Sequence, residues 1–382
     1  MRIKAHYIIM ILATFLLTSC VEEYWPDLDK YENILVVDAL IHDGKGPFEI
    51  NISRSAALDM PVFNGVANAT VKIKCDDGTE TVCQQQERGY YFTPENFKCE
   101  KGKQYQLYIK TMQGEIYESV FSTLPETIEI DHADAVIETQ PDPEYYYERP
   151  GAQFYITSKR APIDSAYYLW NMTETFEYHS DFRIYFVFDG YLRDMLNRDS
   201  LKVCYRTMEV PEFFTHSTIN QQSPEVLNFP LNFVDNESRR LAIKYSLMIK
   251  QFSISSDDYK FWSSVEDQNT EQGGLYSTQP YQIRGNIHSI SNPDEPVIGN
   301  FTVAACDSVR IMFEPPAGLD FNYPVCGIDT SAYMEFGEII FSPPNSWPVY
   351  ATLDPWGIPV LINQDCMDCT LRGGTIEKPE FW

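Results

Sequence analysis

The sequence predicts a mostly β protein: an N-terminal immunoglobulin-like or fibronectin-like β-sandwich followed by a larger β-rich domain with one short helix. Three observations lead there. Apolar residues recur at every second position over many short segments, the period of a half-buried strand. Turns rich in Gly, Pro and Asp separate those segments at intervals of about ten residues. The 382 residues are 44% hydrophobic and 14% aromatic, enough core for two domains of ordinary size.

The first 19 residues precede the fold. Arg2 and Lys4 make a short basic region, and Tyr7 to Leu17 make an apolar stretch too short for an ordinary membrane span, which is the pattern of an export signal. Leu17-Thr18-Ser19-Cys20 follows at once and resembles the lipobox of bacterial lipoproteins, where the signal is cut ahead of the Cys and acyl chains are attached to it. The expectation is a mature chain that begins at Cys20 and is held on a membrane by acyl chains, each contributing about 0.8 kcal/mol per buried CH₂. Val21-Glu22-Glu23 resembles the acidic signal that sends Bacteroidota lipoproteins to the outer face of the outer membrane. Residues 20–31 then form a lipidated tether.

The sandwich is placed at 32–126. Ile34 to Ile41 run apolar over the length of a strand, and Phe48-Glu49-Ile50-Asn51-Ile52-Ser53 alternates with period two. Val71, Ile73 and Cys75 share a face, and Asp76-Asp77-Gly78 reverses the chain because Gly accepts positive φ. Tyr90 to Phe92, Tyr105 to Ile109 and Tyr117 to Phe121 bring the count to about seven strands in about ninety residues, the spacing of a sandwich. The second domain is placed at 127–382. There Leu241, Ile243, Tyr245, Leu247 and Ile249 alternate as a long half-buried strand. Ser255-Ser256-Asp257-Asp258 then supplies the cap and acidic first turn of a helix over 257–271, ended by Gly273-Gly274.

Besides Cys20 there are eight cysteines, and export places them in an oxidising compartment. Cys75, Cys83 and Cys99 in the first domain and Cys306, Cys326, Cys366 and Cys369 in the second are disulfide candidates, with at least one bridge expected in the C-terminal group; Cys204 stands apart. Cys366-Met367-Asp368-Cys369 is a C-x-x-C followed by turn residues instead of a helix, which favours a structural staple over a redox or zinc site.

A net charge of −26, which becomes −28 once Arg2 and Lys4 leave with the signal, repels phosphate backbones and argues against nucleic acid as a partner. No H-E-x-x-H, G-x-S-x-G, P-loop, G-x-G-x-x-G or EF-hand pattern is present, so no catalytic residue, metal site or cofactor is assigned and the expectation is a protein that is not an enzyme. Tyr145, Tyr146 and Tyr147 are candidate ligand contacts, since their flat rings can stack on sugars. Asp164-Ser165-Ala166, Asp199-Ser200-Leu201 and Asp307-Ser308-Val309 resemble the O-glycosylation acceptor of exported Bacteroidota proteins, which makes Ser165, Ser200 and Ser308 candidate attachment sites.

Several stretches together resemble a family of Bacteroidota lipoproteins of unknown function, the one numbered 4249. They are Tyr167-Tyr168-Leu169-Trp170 with Glu174 to Tyr178, Lys250 to Ser255 leading to Tyr259-Lys260-Phe261-Trp262, Gly273-Gly274-Leu275-Tyr276 with Gln279-Pro280, Gly285-Asn286-Ile287 with Asn292-Pro293, and Gly299-Asn300-Phe301. The tail, Cys366-x-x-Cys369 with Arg372-Gly373-Gly374-Thr375 and Lys378 to Trp382, belongs to the same resemblance. Members are often encoded beside TonB-dependent outer-membrane receptors. The resemblance therefore implies a non-enzymatic accessory subunit of an outer-membrane β-barrel transporter or receptor, one that caps it, braces it or captures a ligand at its mouth. The alternative is a stand-alone glycan- or peptide-binding surface lipoprotein; a surface hydrolase and a fimbrial subunit rank below both. A chain with Phe381-Trp382 at its end is expected to dock that tail on the fold.

Overall fold

A computed structural model describes residues 33–56, 62–141, 147–162, 165–219, 221, 223–271, 282–328, 341, 343–344, 347 and 349–382. Strand makes up 48% and helix 7%, so the mostly β class holds.

The alternating positions of the first strand decide the first core. Leu35–His42 turns Leu35, Val37, Ala39 and Ile41 inward, each at most 1% exposed, and Glu49–Arg54 answers with Ile50 and Ile52. From there the sheet continues through Tyr90–Phe92, Glu80–Glu87, Thr70–Cys75, Gln104–Lys110, Ile116–Ser119 and Ile287–Ser289. On its other side Leu35–His42 pairs in parallel with the first half of the 17-residue strand Val297–Phe313. The two ends of this sheet meet: Arg284 bridges Ile298, and the Asn286 side chain donates to Phe301 O at 2.8 Å while accepting from Phe301 N at 2.9 Å. The sheet thus curls round a single apolar core. Gly285 and Gly299 allow the closure, because a Cβ on Gly285 would overlap Gly299 O and a Cβ on Gly299 would overlap Val37 O.

The second half of Val297–Phe313 pairs antiparallel with Lys244–Ser253, which pairs with Tyr167–His179, which pairs with Val203–Glu209. Facing these strands is a three-stranded sheet of Ile130–Pro141, Glu148–Ser158 and Val226–Asp235. Tyr168, Trp170, Tyr245, Leu247 and Ile249 from one sheet meet Phe154, Ile156 and Val234 from the other. Buried Gln251 serves the polar atoms trapped there: its amide oxygen accepts from Trp170 Nε1 at 3.0 Å and Ser158 Oγ at 2.5 Å, and its nitrogen donates to Ile128 O at 2.8 Å. Leu241 and Ile243, which belong to the alternation read in the sequence, precede this strand.

One strand therefore belongs to both sandwiches. A division at 126/127 into consecutive domains is not how the strands pair, since Ile287–Ser289 and the first half of Val297–Phe313 return to the first sheet. The open backbone edge of Leu35–His42 needs a partner, and a parallel one must come from far along the chain. The single α-helix among the described residues, α1 (Ser256–Glu271), packs over the shared strand. Its cap is reciprocal: Ser255 Oγ accepts from Asp258 N at 3.1 Å and donates to Asp258 Oδ2 at 2.6 Å. It begins one residue ahead of the predicted start, and Gly273-Gly274 lies outside the described residues. No helix among the described residues is long and apolar enough to cross a membrane.

Two disulfides close the C-terminal region, Cys204 to Cys369 and Cys326 to Cys366. The C-x-x-C does not bond to itself; each sulfur reaches a different distant partner, which fits the staple reading. Cys204, outside the predicted set, is bridged, whereas Cys75, Cys83, Cys99 and Cys306 are free thiols. Cys83 and Cys99 fill the first core as small apolar side chains, and burial raises both thiol pKa values.

Candidate functional site

The outward positions of the strands that fuse the two sandwiches line a groove of about 800 Å³. Because Val37, Ala39 and Ile41 face the core, Asp38, Leu40 and His42 must face out, joined by Glu49 and Asn51 across the Asp38–Asn51 register. The floor continues over Cys306 and Ser308 on the shared strand, Phe252 and Lys250 opposite them, and then Asn171, Thr173 and Glu209. Trp262 of α1 supplies a wall and is fixed by donating from Nε1 to Thr302 Oγ1 at 3.0 Å. Asn300 Nδ2 donates to Asp258 Oδ1 at 2.7 Å, which ties the start of α1 to the same strand.

His42 sits where the sandwiches meet. Its ring lies 4.5 Å from Phe48 and 5.7 Å from Phe252, and Nδ1 accepts from Gly44 N at 2.9 Å, which leaves the proton on Nε2. Burial first and then the Lys250 charge lower its pKa to about 4, against the opposing pull of Asp43. Asp43 ties the seam from beneath by accepting from Cys306 N at 2.8 Å. Asp38 keeps solvent access on the floor, yet the protein around it raises its pKa; Glu49 is raised by burial and then by the Asp38 charge. Asn51 Oδ1 is sealed from water without a hydrogen-bond partner. Carboxylates, an ammonium group, amides and aromatic edges together equip the groove for a ligand with many hydroxyls or amides.

Cys20, Tyr145 and Tyr146 lie outside the described residues. Tyr147 is half exposed at the far sandwich and donates from Oη to Glu237 Oε1 at 2.8 Å, away from the groove. Ser165 is half-buried, and the Ser200 hydroxyl is sealed without a partner, which withholds it from a glycosylating enzyme on the folded protein. Ser308 is exposed and lies on the groove floor. Sequence reading missed the groove itself. The signal was present, since Asp38 interrupts the run from Ile34 to Ile41 at an even position and His42 follows it in the same phase, but that run scans as nearly continuously apolar.

The model of a family described as a domain of unknown function, DUF4249, matches residues 21–310. The chain belongs to this family. The matched span takes in every residue of the groove and the two sandwiches up to Arg310, three residues short of the end of the shared strand, and it stops before the disulfide-stapled tail. No curated protein and no solved structure matches the chain.

Proposed function

We propose that the protein is a surface-exposed outer-membrane lipoprotein, anchored through Cys20, that serves without catalysis as an accessory subunit of a TonB-dependent-receptor-type β-barrel and captures a glycan or peptide ligand in the seam groove. The observation that carries the reading is Leu17-Thr18-Ser19-Cys20 placed directly ahead of a short acidic tether. The DUF4249 resemblance supports the barrel partner. Two sandwiches joined through one continuous strand offer an extended surface for a barrel mouth, and the mixed donors, acceptors and rings of the groove suit hydroxyl- and amide-rich cargo.

A tag in the exposed turn at Gly318, where nothing crowds the backbone, tests this in native membranes solubilised in mild detergent. Co-purification of a stoichiometric β-barrel, together with loss of acyl labelling in Cys20→Ala, supports the reading. A lipoprotein that remains alone after cross-linking removes the barrel partner and leaves the stand-alone binder.

One observation favours a second reading, a surface hydrolase: Asp38 and Glu49 share the groove and both have raised pKa values, as general acid and base chemistry requires. Glycan turnover that disappears in both Asp38→Asn and Glu49→Gln would establish it; ligand binding without turnover rejects it.

A further inference from the structure

At the opposite end of the second sandwich, away from the seam, four guanidinium groups converge on one cavity of about 360 Å³ in a chain whose net charge is −26. We propose that this cavity binds an organic carboxylate bearing an apolar group.

The floor is the open end of the second core. Phe176 and Met208 lie on the inward face of neighbouring strands, and Tyr178 closes one side by donating from Oη to Cys369 O at 2.6 Å. Arg206, Arg239, Arg240 and Arg372 form the rim. Three of them have carboxylate partners. Arg240 Nη1 lies 3.3 Å from Glu174 Oε2, while Arg239 and Arg372 both bind Asp181, at 2.9 and 3.0 Å. Arg206 has no carboxylate within ion-pair distance among the described residues; it donates from Nη1 to the Arg372 carbonyl at 3.3 Å. Arg372 Nη1 is sealed from water with no partner. An unpaired guanidinium on a rim whose other three are paired is a site short of one anion, because an Arg fork matches a carboxylate.

The tail motif now has a physical role. Cys204–Cys369 and Cys326–Cys366 hold the turn that presents Arg372. Gly373 ends that turn at φ 83°, and a Cβ on Gly374 would overlap Tyr178 Oη. The turn therefore holds Arg372 at the rim of the cavity, while the bare backbone of Gly374 packs against the Tyr178 ring that closes one side. The floor asks for an apolar group and the rim for one negative charge, and the volume is at the small end for a ligand site.

Isothermal titration of the full-length oxidised protein in detergent tests this with 3-phenylpropanoate, its primary amide, inorganic phosphate, and the peptide Gly-Gly-Phe with a free or amidated C-terminus. The expectation is saturable binding of a free carboxylate, at least tenfold weaker binding of the matching amide and of phosphate, and at least a tenfold loss in Arg206→Met, which breaks no ion pair and keeps the fold. Arg193→Met, on the exposed edge strand Leu192–Asp194 and outside the cavity lining, leaves binding unchanged. Tighter binding of the free peptide identifies a chain terminus as the source, and tighter binding of 3-phenylpropanoate identifies a free acid. Equal affinity for acid and amide, phosphate binding as tight as the acid, no binding of either carboxylate, or unchanged affinity in folded Arg206→Met each overturns the proposal.

Discussion

Asp181 Oδ2 accepts a hydrogen bond from Arg372 Nη2 at 3.0 Å across 191 residues of sequence. The same carboxylate receives Arg239 Nη2 at 2.9 Å on each oxygen and Cys326 N at 3.1 Å. With its side chain only 11% exposed, Asp181 is the counter-charge that lets two guanidinium groups and a disulfide-bearing turn come together.

Replacing Asp181 with Ala leaves both arginines without their shared anion in a half-buried setting. The expected loss is about 3 kcal/mol, the scale for breaking such a pair from one side. Denaturant unfolding of the oxidised protein measures it, and a change below 0.5 kcal/mol (about the scatter of a plain surface substitution) rejects the hub role.

The two disulfides differ in the loops they close, 165 residues for Cys204–Cys369 against 40 for Cys326–Cys366. In the loop-entropy account, removing the first destabilises by about 1 kcal/mol more than removing the second. Comparing Cys204→Ser/Cys369→Ser with Cys326→Ser/Cys366→Ser by denaturation gives the order directly. An inverted order would mean that the Arg372 turn, not the length of the loop, sets the cost.

The fold class, the helix and its cap were legible because each depends on neighbours in sequence: the alternation at Val37, Ala39 and Ile41, the Ser255–Asp258 pair. What the sequence hid is non-local. Nothing near Val297 announces a parallel partner 262 residues earlier at Leu35, so a domain boundary drawn from spacing misses the shared strand. Cys204 lies in neither cysteine cluster, and its partner is decided by the course of the tail. Arg206, Arg239, Arg240 and Arg372 fall in three separate stretches, so their convergence is visible only in three dimensions.

Gly299→Ala tests the closure of the first sandwich. The new Cβ would overlap Val37 O at a residue with φ 101°, so either the shared strand shifts or the parallel pairing with Leu35–His42 opens. A loss of at least about 2 kcal/mol is expected, with faster amide exchange in residues 35–42 than in residues 244–253. Equal exchange in both strands would contradict a local opening.

His42 gives stability a pH dependence whose sign follows from its lowered pKa. The unfolded chain takes up the proton near pH 6.5, while the folded chain resists it down to about pH 4. Stability is therefore unaffected by this group above pH 6.5 and falls as the pH drops from 6.5 towards 4. Asp38 and Glu49 act in the opposite sense in the acid range, because their raised pKa values make the folded state the better proton acceptor. His42→Gln keeps an acceptor for Gly44 N and removes the titration. Subtracting its melting temperatures from those of the parent between pH 7 and 4 should leave a gap that moves against the parent as the pH falls; a constant gap contradicts a proton-resisting His42.

The tail ends on the outer face of the second sandwich. Trp382 Nε1 donates to Glu177 Oε2 at 3.2 Å, its ring meets Tyr205 edge-on at 5.5 Å, and the Arg310 guanidinium lies 3.5 Å from the Phe381 ring centroid. Both aromatic residues keep part of their surface in water, so deleting residues 379–382 should cost about 2 kcal/mol rather than the full value of two buried rings. Trp382→Ala separates ring from backbone, since it removes the Tyr205 and Glu177 contacts and leaves Phe381 over Arg310. Thermal melts that put the point variant between the parent and the deletion would locate the docking energy in both rings. An unchanged melting temperature in the deletion would mean that the tail merely lies on the sheet, with the Cys204–Cys369 bridge holding the C-terminal region by itself.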